Sequence, residues 1–274
     1  MRQREVVQNM TEIAPVAEHR TEVERAEARA HTSVGEYIES LLVTVILALF
    51  GTTFVVQAFK IPSQSMEPTL LVGDHLLVNK FIFGGRESWY DKLLPYRPIR
   101  QGDIIVFKFP FQDHPHYVKR VIGLPGDRIK IVDQHVYRNG QQLNEPYAYH
   151  DPAASYNAFL YNFPPASHDE LISSMQPEWA DQIFKYIQNG ELVVPPGNYF
   201  AMGDNRNNSW DSRYWGFVDR EAIMGGPVVI YWSVRSSEQD YSERSFGGGL
   251  VSILRTLIEI PTRTRWNRML RTVH

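Results

Sequence analysis

The stretch HYVKRVIGLPGDRIKIV, residues 116–132, reads as strand, turn, strand. Side chains alternate along a strand, so Tyr117, Lys119 and Val121 share one face and Val118, Arg120 and Ile122 the other. Pro125-Gly126-Asp127 supplies the turn. The same signature recurs in HLLVNKFIF (75–83), DIIVFKF (103–109), NYFAMG (198–203) and PVVIYWSV (227–234). Breakers separate these runs at Gly84-Gly85, Gln101-Gly102-Asp103, Asn139-Gly140 and Pro195-Pro196-Gly197, and Asn139-Gly140 is the best two-residue hairpin turn. Residues 60–246 therefore read as one mainly β domain. Within it, residues 144–190 are rich in Pro, Tyr and Asn and carry one helical pattern, PEWADQIFKYIQNG. Pro177 starts it, Trp179, Ile183 and Ile187 share a face, and Gly190 stops it. The expected arrangement is an inserted lobe at about residues 134–195, between two halves of a sheet.

Working outward, residues 1–40 form a polar tail whose first 36 residues contain no Phe, Trp or Tyr. With little apolar surface it cannot offset its own ordering entropy. From Leu41 to Phe59 the chain reads LLVTVILALFGTTFVVQAF, with no charge. At about 1.5 Å per residue that run spans a bilayer's hydrocarbon, and it reads as a single transmembrane helix. A cleavable leader is disfavoured, because the run begins late and no small-x-small site follows it. Arg25 and Arg29 on one flank balance Lys60 and Lys80 on the other, which leaves orientation open. The last part, residues 247–274, reads as a basic amphipathic tail. After Gly247-Gly248-Gly249, LVSILRTLIEI places Leu250, Leu254 and Leu257 on one stripe, and five arginines follow or interrupt it against Glu259 alone. Such a segment suits anionic lipid, and equally a terminal helix packed on its own domain.

The whole chain has 274 residues, 43% of them hydrophobic, enough for a sizeable core. Its lack of cysteine removes disulfides, thiolate metal sites and every thiol nucleophile. A formal charge of -3 gives no electrostatic case for nucleic acid as a partner. No H-E-x-x-H, Walker A, G-x-G-x-x-G, G-x-S-x-G or S-x-x-K motif occurs. His114-Pro115-His116 lacks a third ligand, and nothing calls for a metal or cofactor.

Chemistry is left to Ser, Lys, His and carboxylates. Two segments stand out: IPSQSMEPTL (61–70), with two serines held between two prolines, and MGDNRNNSWDSRYWG (202–216), a polar loop braced by Trp210, Tyr214 and Trp215. Between them, Lys119 stands among apolar strand neighbours. Desolvation disfavours a charged amine, so a buried lysine can act as a general base.

In this order, PSQSMEPTL, GDIIVF, YVKRVIGLPGD and GDNRNNSWDSRYWGFV closely resemble the boxes of bacterial type I signal peptidases, membrane-bound Ser/Lys proteases that remove signal peptides from exported proteins. The resemblance covers roughly residues 41–233. It implies the β fold those enzymes share with self-cleaving repressors, with Ser65 as nucleophile and Lys119 as general base. It further implies that Ser209 orients the lysine amine and that the Ser63 hydroxyl joins the Ser65 N–H in an oxyanion hole. Asp211 and Arg213 match a supporting ion pair, and Gly203 a close backbone approach. Phe59, Ile61, Pro62, Tyr117 and Val118 are candidates for the pockets that take small residues of an A-x-A site. The implied partners are signal-peptide-bearing precursors and membrane lipid, with a single pass through the inner membrane and the catalytic domain on its outer side. Family members often carry two amino-terminal membrane helices, and here only one segment qualifies. A self-cleaving repressor is the nearest other enzyme, but it would lack an anchor and the long GDNRNNSWDSR box. A membrane-anchored binding domain would have no use for both Ser65 and Lys119.

Overall fold

The structure is a computed structural model describing residues 34–51, 55–84, 96–109, 116–170, 173–236 and 261–273. The chain divides into two compact units, residues 1–54 and 55–274. In the first, residues 34–50 form helix α1, with Leu41, Ile46, Leu47 and Leu49 among its exposed apolar side chains. No helix among the described residues is long and apolar enough to cross a membrane. The expected single helix over 41–59 needs correction at its end. Val56–Lys60 is strand β1, paired antiparallel with β2 (Asp74–Asn79) from Val56↔Asn79 to Lys60↔His75. A neighbouring strand satisfies this backbone, so it has no need of helical bonds.

The second unit is built on two sheets. The larger contains β1, β2, β3 (Ile104–Lys108), β4 (His116–Gly123), β10 (Asn198–Met202), β11 (Val218–Asp219) and β12 (Ile223–Ser233), in the order β1-β2-β12-β3-β4-β10-β11, and β13 (Arg271–Thr272) pairs with β12. Alternation sets its faces: in β2, Asp74, Leu76 and Val78 point inward. The smaller sheet has the order β7-β6-β5-β9-β8, from β5 (Arg128–Val132), β6 (His135–Arg138), β7 (Gln141–Gln142), β8 (Ile187–Gln188) and β9 (Glu191–Val193). Short helices α2 (Ala158–Tyr161) and α3 (Pro177–Gln182) belong to this lobe, and α4 (Ser212–Trp215) follows the polar loop.

The lobe begins earlier than residue 134. The turn at 124–127 already commits the chain to β5, with Asp127 accepting from the Leu124 N–H at 2.7 Å. Asn139-Gly140 is the hairpin turn between β6 and β7, both residues having positive φ. The helix expected through Gly190 is shorter. α3 gives way to a 3-10 turn over Ile183–Tyr186, and Ile187 starts β8, because Asn189-Gly190 forms a second positive-φ hairpin turn. Trp179 and Ile183 enter the core as expected, beside Ile122, Ile129, Phe163 and Phe200. Ile122 and Phe200 come from the large sheet, so the lobe shares its core with the main body.

The carboxyl-terminal stripe over 250–260 lies outside the described residues. Residues 261–273 correct the reading of a separate tail. β13 joins the large sheet, Thr264 bridges to Val234, and Arg268 is buried against Asp74.

Candidate active site

Loop 61–74 carries the first serines. Its ends are closed by Ile61 N–H donating to Asp74 O at 2.8 Å and Gly73 N–H to Ile61 O at 2.9 Å. Met66 and Leu70, both buried, fasten its underside to a core containing Leu76, Val106 and Ile230. Ser63 is extended and Gln64–Met66 make one 3-10 turn, which brings the Ser63 and Ser65 hydroxyls within 3.3 Å of each other.

Lys119 comes from β4, which lies between β3 and β10. Its Nζ donates to Ser65 Oγ at 2.7 Å. The side chain is 2% exposed. Burial lowers its pKa from 10.5 to about 8, opposed by Asp211 and reinforced by Arg213. A near-neutral pKa in direct contact with a hydroxyl is what proton abstraction requires.

The polar loop closes over this pair. Asn205 N–H donates to Ser65 O at 3.1 Å, Asn205 Nδ2 to Gln64 O at 3.3 Å and Asn208 Nδ2 to Gln64 Oε1 at 3.2 Å. Asp211 caps α4 and forms a two-pronged pair with Arg213 Nε and Nη2, both at 2.8 Å. Burial pushes the Asp211 carboxyl up, but Arg213, Lys119 and the Gly203 N–H outweigh it and hold the group below its ordinary value. Ser209 differs from its expected role: its Oγ is buried and makes no hydrogen bond among the described residues, so it is not bonded to the lysine here. Gly203 sits where a Cβ would come 2.2 Å from Ser209 Oγ and 2.3 Å from Ser65 O. Gly203→Ala must therefore displace the Ser65 backbone. A shift of that kind costs about a hundredfold in rate, and single-turnover cleavage checks it.

A cleft of about 360 Å³ opens beside Ser65, lined by all five pocket candidates, Phe59, Ile61, Pro62, Tyr117 and Val118, together with Ser63, Met66, Lys119, Lys60 and His116. The last two were not anticipated. His116 sits edge-on to Phe59 at 5.2 Å between ring centroids. A second hollow shares Ser63, Ser65, Tyr117 and Lys119 with the first and is also bordered by Gln64, Asn208 and Trp210.

Also missed from sequence was the support under the pair. Arg120, next to Lys119 but on the opposite strand face, makes a two-pronged bond to Asp204 at 2.8 Å each way. Asp204 also accepts from Thr69 Oγ1 at 2.6 Å. Arg206 pairs with Glu145 from the lobe at 2.6 and 3.0 Å. Strand alternation puts Arg120 on the face opposite Lys119, and a buried arginine calls for a carboxylate, but nothing in the spacing selects Asp204.

A serine bonded to a buried lysine at the lip of an apolar cleft is an arrangement equipped for acyl transfer without histidine. Residues 34–232 match the family model described as "Signal peptidase, peptidase S26". Signal peptidase I of Pseudomonas fluorescens is 36% identical over 212 residues, covering 72% of each chain. That of Pseudomonas aeruginosa is 37% identical over 210 residues, again with 72% of each covered. The Aquifex aeolicus enzyme is 36% identical over 225 residues, covering 72% of this chain and 83% of its own. The chain belongs to the signal peptidase I family, peptidase S26.

Proposed function

We propose that this chain removes signal peptides from exported precursors by acyl transfer between Ser65 and Lys119. The observation that carries the reading is the 2.7 Å contact between Lys119 Nζ and Ser65 Oγ, with the lysine buried. Neutral Lys119 takes the proton of Ser65 as its oxygen attacks the scissile carbonyl. The resulting oxyanion is held by the Ser65 N–H and the Ser63 hydroxyl. Lys119 then returns the proton to the leaving amine, and the peptide bond breaks to leave a Ser65 ester. In the second half, Lys119 deprotonates water, which attacks the ester; the bond to Ser65 Oγ breaks, and Lys119 returns that proton to the Ser65 oxygen, leaving both groups as they began.

The precursor lies extended along the cleft and places small side chains against Phe59, Ile61, Pro62, Tyr117 and Val118. Asp211, Arg213 and Gly203 support the geometry. The apolar run beginning at Leu41 anchors the chain in the inner membrane in a single pass, with residues 1–40 inside, the catalytic domain outside and lipid as its neighbour. Partners are precursors, with no role for nucleic acid.

The test is cleavage by the detergent-solubilised chain of a precursor ending in Ala-x-Ala, beside the same precursor with Leu at the last position. We expect kcat/KM to fall at least about a hundredfold for the Leu form, since a shallow pocket cannot take the branched side chain without strain. Equal cleavage of both would contradict the assignment.

A further inference from the structure

The arginine-rich end lies beyond residue 232, outside the span matched by the family. Even so, it touches the loop that carries Ser65. Arg268 Nη2 donates to Thr69 O at 2.9 Å and to Asp74 Oδ2 at 2.6 Å, and Arg268 Nε donates to Asp74 Oδ1 at 3.2 Å. Both Arg268 and Asp74 are buried. Asp74 also accepts from Leu71 N–H at 2.9 Å and from Ser233 Oγ at 2.6 Å. Arg265 adds a bond from Nη1 to Val72 O at 3.0 Å. The turn from Thr69 to Asp74 is thus gripped from below by a segment almost two hundred residues away.

Thr69 connects that grip to the reacting groups. Its carbonyl is held by Arg268, while its hydroxyl donates to Asp204 Oδ2 at 2.6 Å. Asp204 binds Arg120, whose neighbour is Lys119. The residue after Asp204, Asn205, donates its N–H to Ser65 O at 3.1 Å. One guanidinium therefore fixes the point from which both the serine loop and the lysine strand are braced.

We infer that Arg268 is a positioning residue for the Ser65–Lys119 pair, acting through Thr69 and Asp74; this rests on the proposed roles of Ser65 and Lys119. The requirement is for a planar fork. A guanidinium can satisfy Asp74 with two N–H groups and still reach the Thr69 carbonyl, whereas an ammonium is a point charge that cannot reproduce that geometry. Without the fork, a buried carboxylate and a carbonyl lose a partner, and the turn relaxes.

The experiment compares Arg268→Ala, Arg268→Lys and Arg271→Gln in the full chain, in detergent. It measures kcat and KM on a precursor, the acylation rate of Ser65 by a small activated ester, and thermal unfolding. For Arg268→Ala we expect kcat to fall about a hundredfold, KM to stay near its original value and ester acylation to slow to the same degree. Arg268→Lys should fall between it and the unaltered chain, and Arg271→Gln, which alters an exposed side chain outside the grip, should keep its kcat. Where Arg268→Ala does not fold, Arg268→Lys decides alone: a lower kcat with an unchanged unfolding midpoint supports the inference. An unchanged kcat in folded Arg268 variants, or an equal fall in Arg271→Gln, overturns it. If Ser65→Ala retains activity, the dyad itself has failed. If Ser65→Ala is inactive while the Arg268 variants keep full kcat, only the positioning role has failed.

Discussion

Ser65→Ala and Lys119→Met each lower kcat for precursor cleavage by at least about a thousandfold, and the double variant is no slower than either single one. Groups that act as a unit are non-additive, because removing one leaves the other with nothing to do. The residual activity comes from binding and the oxyanion donors, which neither substitution removes. Lys119→Met removes the terminal amine and keeps nearly all of the side chain's bulk in a site that is 2% exposed, so a cavity accounts for little of the loss. Single-turnover kinetics on a purified precursor would check this, with circular dichroism to establish folding. Losses that multiply in the double variant would mean that Ser65 and Lys119 act independently.

Arg213→Met is the largest expected loss of stability. The pair it breaks is fully buried, with Arg213 1% and Asp211 0% exposed. Removing one member leaves an uncompensated carboxylate, at a cost of about 3–5 kcal/mol. Arg213 Nη2 also donates to Arg206 O at 2.8 Å, so the polar loop loses a second tie. Arg213 helps to hold the Lys119 pKa down, while Asp211 pulls it up. Any Arg213→Met enzyme that folds should therefore need a higher pH to reach its full rate. Denaturant unfolding and a pH–rate profile measure the two effects. An undiminished unfolding free energy would show that the pair is not a support.

Period-two patterning and turn chemistry made the β architecture legible. Asn139-Gly140 and the alternating faces of β4 follow from local rules that tertiary contacts did not override. In residues 56–59, Val, Gln, Ala and Phe read alike as the end of an apolar helix or as a strand, and only pairing with β2 distinguishes the two. The break of α3 into a strand at Ile187 was hidden in the same way, since Ile183 and Ile187 fit one helical face. Two serines between prolines and a lysine within an apolar strand made Ser65 and Lys119 no more than candidates, and it is the resemblance of the four boxes to type I signal peptidases that singled them out. Asp204, Thr69 and Arg268 were not legible. Their partners lie far away in sequence, and the two-pronged bonds that define them depend on topology that no local spacing encodes. Of the two readings open for the arginine-rich end, residues 261–273 follow packing on their own domain, with Arg265 and Arg268 held by Asp74 and its turn.

The central claim is that burial makes Lys119 a base, and direct titration of its amine tests it best. Nuclear magnetic resonance of lysine labelled at Nζ, with the Lys119 signal identified by its loss in Lys119→Met, would follow protonation in the detergent-solubilised chain. The structure predicts a midpoint at about 8. The cleavage rate should rise with pH through the same midpoint, because only the neutral amine can accept the Ser65 proton. A midpoint at 10.5, the ordinary lysine value, would mean that the amine stays charged under working conditions and would contradict the account.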